Sequence, residues 1–165
     1  MTTRRDFLGR VTGAIAAVIG AVMAVPAAGY LIGPAWRRSA PTWAGAGTIS
    51  DLPTDQPVQR EVVIEMQDGW LKSRTTRGVW VAKLSTGEIR VYNPHCTHLG
   101  CAFKWSQDKR QFLCPCHGGV YDVNGRVLAG PPPRSLDTMD YRIEDDRLIV
   151  NYADFKSGAS QKSPI

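Results

Sequence analysis

The sequence predicts an all-β domain of antiparallel strands, carried behind a single N-terminal membrane-spanning helix and bearing a small metal-binding subdomain. Three observations predict it. Residues 11–36 form an unbroken run of 26 uncharged side chains. Downstream, short runs rich in β-branched and aromatic residues are separated by two-residue turn signals, the pattern of strands and hairpins. Between those runs, all four cysteines and two of the three histidines fall into two boxes, CTHLGC at 96–101 and CPCHGG at 114–119.

The chain opens with TTRRDFLGR, in which Arg4 and Arg5 precede Phe7 and Leu8. Residues 1–10 thus resemble the start of a twin-arginine export signal. The run over 11–36 exceeds the about 20 apolar residues that a membrane helix needs, although Pro26, Gly29 and Gly33 weaken its second half. Small residues in VPAAG, 25–29, resemble a processing site, but the apolar run continues through Tyr30, Leu31 and Ile32, which favours a retained anchor in the lipid bilayer. Arg4, Arg5 and Arg10 mark the cytoplasmic end. The remaining domain is then expected on the periplasmic or extracytoplasmic side of the cell membrane.

Residues 37–47, RRSAPTWAGAG, lack an apolar period and read as a flexible tether. Residues 48–153 suffice for one compact domain and leave no room for a second. In it, 60–66 (REVVIEM), 79–84 (VWVAKL) and 89–92 (IRVY) read as strands, with reversals at Asp68-Gly69, Thr86-Gly87 and Asn124-Gly125. Residues 120–123 and 126–128 flank the last of these as a hairpin. YRIEDDRLIVNY, 141–152, reads as a final hairpin turning at Asp145 and Asp146. The polar tail, 154–165, is expected to be disordered. There is no internal repeat.

The net charge of +5 and pI near 9.2 do not indicate a nucleic-acid partner. Residues 1–46 hold five arginines against Asp6, and residues 47–153 balance 13 basic against 13 acidic side chains. The excess therefore belongs to membrane topology and forms no basic patch on the domain.

In the boxes, Cys96 and His98 stand two apart and Cys114 and His117 three apart. Each box can offer one thiolate and one imidazole from a tight loop. A tetrahedral zinc site could use the same four donors, and a zinc-stabilised binding module without redox chemistry would follow. Zinc leaves unexplained the second cysteine of each box and the GPPP at 130–133. His95 precedes the first donor and reads as a loop residue.

From Asn93 to Pro133 these residues resemble the Rieske family, whose [2Fe–2S] cluster has one iron held by two thiolates and the other by two imidazoles. The resemblance implies Cys96 and Cys114 as ligands of the buried iron and His98 and His117 as ligands of the outer one. It implies a disulfide between Cys101 and Cys116, in keeping with an exported domain, where two buried free thiols are the alternative. GPPP, with Pro131, becomes the loop covering the cluster. Gly100 and Gly118 allow tight turns that bring backbone N–H groups to sulfur. Leu99 becomes an exposed apolar contact for a cytochrome b partner, and Tyr121 a residue close to the cluster. Many quinol-oxidising members have serine after CPCHG; this chain has Gly119, and loss of that hydroxyl predicts a lower potential, suited to menaquinol.

The function implied is that of an iron–sulfur subunit of a bacterial cytochrome bc- or b6f-type complex, expected to be dimeric. It would take an electron and a proton from quinol, with His98 or His117 receiving the proton, and pass the electron to a c-type cytochrome. A second reading is the small subunit of a periplasmic molybdenum enzyme of the arsenite oxidase kind, which has no quinol site.

Overall fold

The computed structural model describes residues 3–36, 41–68 and 71–165. It divides into two units, Met1–Ala40 and Pro41–Ile165. The first is a helix, α1 (Arg4–Trp36), of 33 residues. At 1.5 Å per residue it is about 50 Å long, ample for a bilayer core of about 30 Å. Its apolar side chains are exposed all round, Val18, Val22, Met23 and Leu31 among them, as expected where lipid is the solvent. It starts seven residues before the uncharged run because Thr3 and Asp6 form a reciprocal cap: the Asp6 amide donates to Thr3 Oγ1 and the Thr3 amide to the Asp6 carboxylate. Pro26 does not end it.

The second unit holds three antiparallel sheets. The first is ordered β1 (Thr42–Thr48), β10 (Arg147–Tyr152), β9 (Tyr141–Glu144). The second is β2 (Val58–Asp68), β3 (Leu71–Lys83), β4 (Ile89–Tyr92). The third is β5 (Lys104–Ser106), β6 (Gln111–Cys114), β7 (Gly119–Tyr121), β8 (Val127–Ala129). The middle sheet is buried on both faces at residues 79–82 and along β4, where the period of two along β3 divides its side chains between two cores. Val79 and Val81 join Val62, Val91, Leu148 and Val150 in one. Trp80 and Ala82 join Phe103, Phe112, Tyr121, Cys96 and Cys114 in the other. The sheet that carries the boxes is therefore seated on the far face of β3 and β4.

Three expectations are revised. The tether over 37–47 gives way to strand β1 from Thr42 onward, paired with β10 from Thr42↔Tyr152 to Thr48↔Arg147; Arg37 to Ala40 lie outside the described residues. Ala44 and Ala46 face the core while Gly45 and Gly47 face out, so small residues serve a tightly covered strand and read as a linker. The tail over 154–165 is ordered: Phe155 bridges Pro164, and backbone bonds join Lys156 to Ser163 and Ile165 to Asp154. Finally, 60–66 and 79–84 lie on the two strands of one long hairpin, in register from Val58↔Val81 to Asp68↔Leu71, so that 60–66 pairs with 73–79. The intervening LKSRTTRG is mostly polar because residues 72–78 are exposed or half-buried. The Gly69 of the expected reversal lies outside the described residues. The final turn is where it was expected: Asp145 and Asp146 have φ of 47° and 70°, the left-handed pair of a tight hairpin.

Candidate metal centre

Box one is the connection from β4 to β5. It closes on itself through Cys96 N–H to Cys101 O at 2.8 Å and Gly100 N–H to Cys96 O at 2.9 Å. Gly100 takes φ +76°, which only glycine adopts without strain. Box two is the hairpin loop between β6 and β7, where Cys114 pairs with Gly119 across the turn. The two loops are tied together by a disulfide between Cys101 and Cys116 with Cα atoms 6.5 Å apart.

Cys96 and Cys114 are free thiols and both are buried. Burial pushes the Cys114 thiol up, its hydrogen bond with Cys96 adds to this, and the backbone amides of Cys116 and His117 pull the other way. The two sulfurs thus share a dry pocket already supplied with amide donors. The Cys114 sulfur lies within 4.8 Å of both disulfide sulfurs, but those are bonded to each other and are not donors. On the solvent side, the rings of His98 and His117 meet edge to face, with centroids 4.9 Å apart and planes at 86°. His98 is half-buried and His117 exposed. The fold therefore pairs the two candidate thiols in the interior and the two candidate imidazoles toward solvent. A cluster with a sulfur-ligated and a nitrogen-ligated iron suits this set; a closed tetrahedral site does not require the division between inner thiols and outer imidazoles.

Residues 42–140 match the Rieske [2Fe-2S] domain. The chain belongs to the Rieske family. Its cofactor is accordingly a [2Fe–2S] cluster. The Rieske chain is 31% identical over 156 residues, covering 92% of each chain, to the menaquinol:cytochrome c reductase iron-sulfur subunit of Geobacillus thermodenitrificans. It is 29% identical over 154 residues, covering 91% of this chain and 76% of the other, to the cytochrome b6-f complex iron-sulfur subunit of Chlorobaculum thiosulfatiphilum. The apo form of CntA, a quaternary ammonium Rieske monooxygenase, matches with a TM-score of 0.51 at 14% identity, over 68% of this chain and 33% of that one, which shows the fold alone.

Several residues around the Rieske site have no signal in spacing. The Tyr121 hydroxyl lies 3.1 Å from both Cys96 Sγ and Thr97 Oγ1. Thr97 spends its own proton on Arg134 O at 2.8 Å, so its oxygen and the Cys96 sulfur share the single proton of the Tyr121 hydroxyl. Burial pushes the Tyr121 phenol well above its usual range, with Cys96 contributing; it stays a neutral donor. In the GPPP loop, Pro131 is exposed and Pro132 is the buried proline. A Cβ on Gly119 would stand 2.9 Å from Pro132 Cγ, so the proline ring takes the space of the missing side chain. Gly130, φ +91°, lies so close that a Cβ would meet Gly118 O at 2.6 Å. Arg134 and Asp137 form a buried ion pair at 2.6 Å directly behind this loop. Leu99 is 61% exposed at the tip.

Proposed function

We propose that this Rieske chain is the iron–sulfur subunit of a quinol:cytochrome c oxidoreductase of the cytochrome bc type, working on menaquinol. The observation that carries this reading is the division of the donor set: two buried, adjacent thiols behind two solvent-facing imidazoles under a proline loop. Support comes also from relatives that match over nearly the whole chain, anchor helix included, and are named as subunits of such complexes.

In this reading Cys96 and Cys114 hold the inner iron and His98 and His117 the outer one. The cluster supplies a one-electron acceptor whose charge state governs how strongly the outer imidazoles hold a proton. His117, the more exposed of the two, would accept a hydrogen bond from the quinol hydroxyl at an imidazole nitrogen and take up that proton. His98 can do the same from the other side. Leu99 presents an apolar contact for the quinol site of a cytochrome b subunit. Tyr121 donates to the Cys96 sulfur and so favours the reduced, more negative state. The buried thiols and Pro132 keep water from the sulfurs.

The chain is a single-pass membrane protein by the length and apolar character of α1. The domain stands on the extracytoplasmic side, reached already folded through the twin-arginine route, and hands its electron to a c-type cytochrome. Redox titration of the full-length, detergent-solubilised protein, followed by EPR, tests the proposal. A Rieske spectrum with a low, pH-dependent midpoint is expected. A high midpoint would overturn the menaquinol assignment, and a zinc-bearing protein without a paramagnetic signal would overturn the redox role altogether.

A further inference from the structure

The polar C-terminal segment is held against box one. The Gly158 amide donates to Thr97 O at 2.9 Å. Gly158 takes φ +76°, and even a Cβ there would stand 3.4 Å from His98 O, which shows how closely the segment follows the donor-bearing peptide. On its other side a Cβ on Gly100 would lie 3.2 Å from Ser157 Oγ. The segment is anchored by Arg134, whose guanidinium donates to Ala159 O and to Lys156 O while its fork pairs with both Asp137 oxygens at 2.9 and 2.6 Å. The Arg134 and Asp137 side chains are 9% and 5% exposed. A buried guanidinium is retained only where its donors are met, and here the acceptors are supplied by the carboxylate and by the segment. Further out, Lys162 donates to Thr138 O at 2.6 Å.

Box one is also tied to box two by the Cys101–Cys116 disulfide at its far end. Within Cys96, Thr97 and His98, the bonds of Cys96 N–H and O stay inside the loop; those reaching outside run from Thr97 O to Gly158, from Thr97 Oγ1 to Arg134 O, and from Cys96 Sγ and Thr97 Oγ1 to the Tyr121 hydroxyl. The two backbone contacts lead back to Arg134, one through its own carbonyl and one through the segment it holds. We infer that residues 156–159 are a clamp on the Cys96–His98 peptide, held by Arg134 as a positioning residue, and that this clamp sets the potential of the cluster and how firmly it is kept. The link to potential is geometric. Thr97 and Cys96 share the hydroxyl of Tyr121, so movement of Thr97 alters its 3.1 Å contact with the Cys96 sulfur. The inference rests on Cys96 and His98 being cluster ligands.

The test compares full-length holoprotein with two shortened chains, one ending at Phe155 and one at Ala159, and with Arg134→Lys, which keeps a charge beside Asp137 and loses the fork. Ending at Phe155 should lower the midpoint, change the EPR line shape and speed cluster loss about tenfold, as removal of about 1.4 kcal/mol would. Ending at Ala159 keeps the clamp and should leave all three unchanged. Arg134→Lys should move the midpoint in the direction of the shorter chain. Hydrogen exchange on the unaltered holoprotein supplies a readout should the shorter chain not fold: the Gly158 amide should be protected well beyond those of 160–163. Unchanged midpoint and spectrum in the chain ending at Phe155, equal changes in both shortened chains, or a freely exchanging Gly158 amide would each overturn the clamp. A Rieske spectrum missing from the unaltered protein would instead refute the ligand assignment.

Discussion

The two smallest changes to the site act through Tyr121 and Gly119. Tyr121→Phe removes the hydroxyl 3.1 Å from Cys96 Sγ and leaves the ring that packs near Phe103. Loss of a donor to sulfur disfavours the reduced state; at about 0.7–1.4 kcal/mol for the bond, the midpoint should fall by about 30–60 mV in an EPR-monitored titration. Gly119→Ser is expected to raise it by restoring a hydroxyl close to the sulfurs. The hydroxyl must compete with Pro132 Cγ, 2.9 Å from the new Cβ, so Gly119→Ser with Pro132→Ala should give the larger rise, up to about 59 mV for 1.4 kcal/mol. A fall in both variants would refute this account. The role of Gly119 as a departure from the serine pattern was legible in sequence; the proline that fills its space was not, since nothing in GPPP says which ring turns inward.

Among the elements, β6 links core to site most directly. It ends in Cys114, and Phe112, two residues earlier, is wholly buried among Trp105, Phe103, Trp80 and Tyr92, with ring centroids 4.8, 5.2, 5.5 and 5.8 Å away. Phe112→Ala opens a cavity between the middle sheet and the site-bearing sheet and should cost about 3–5 kcal/mol in chemical denaturation. Cluster loss should accompany it, because Cys114 rides on the same strand. Strands with Val, Ile and aromatic residues in alternation, such as β4 and β10, could be read from sequence. Strand β1 could not: its inward residues are Ala44 and Ala46, and small side chains between glycines carry no signal of burial. The C-terminal segment was hidden for a related reason, since its order comes from Arg134 donating to its backbone and from Lys162 reaching Thr138 O, contacts that no pattern within the segment announces.

At the scale of the whole molecule, the ordered unit begins at Pro41, so a fragment cut at residue 47 would lose β1 and uncover Leu148 and Val150. The three-layer packing also sets an alkaline limit. Burial pushes the Tyr92 phenol up to about 12 from its usual 10.0. Burial beside the Asp154 carboxylate raises Tyr152 as well. Groups raised in this way stabilise the fold fully below their unfolded value, and that contribution is lost as pH climbs through the folded value. Stability should hold from neutral pH to about 9 and then decline from pH 10 upward, by about 2–3 kcal/mol at pH 12 from Tyr92 alone. Denaturant midpoints measured across that range check it; stability rising above pH 10 would contradict the sign.

By itself the sequence determined the β class of the domain and the anchor helix and put forward four candidate donors, because each rests on local information: a period of two, an uncharged run long enough for a bilayer, and two boxes whose residue types suit iron and sulfur. Only the tertiary structure decided which proline covers Gly119, that residues 42–48 are a strand, and that the C-terminal segment grips box one. Those are matters of contact between residues far apart in the chain, made largely through backbone carbonyls and amides that every sequence offers equally.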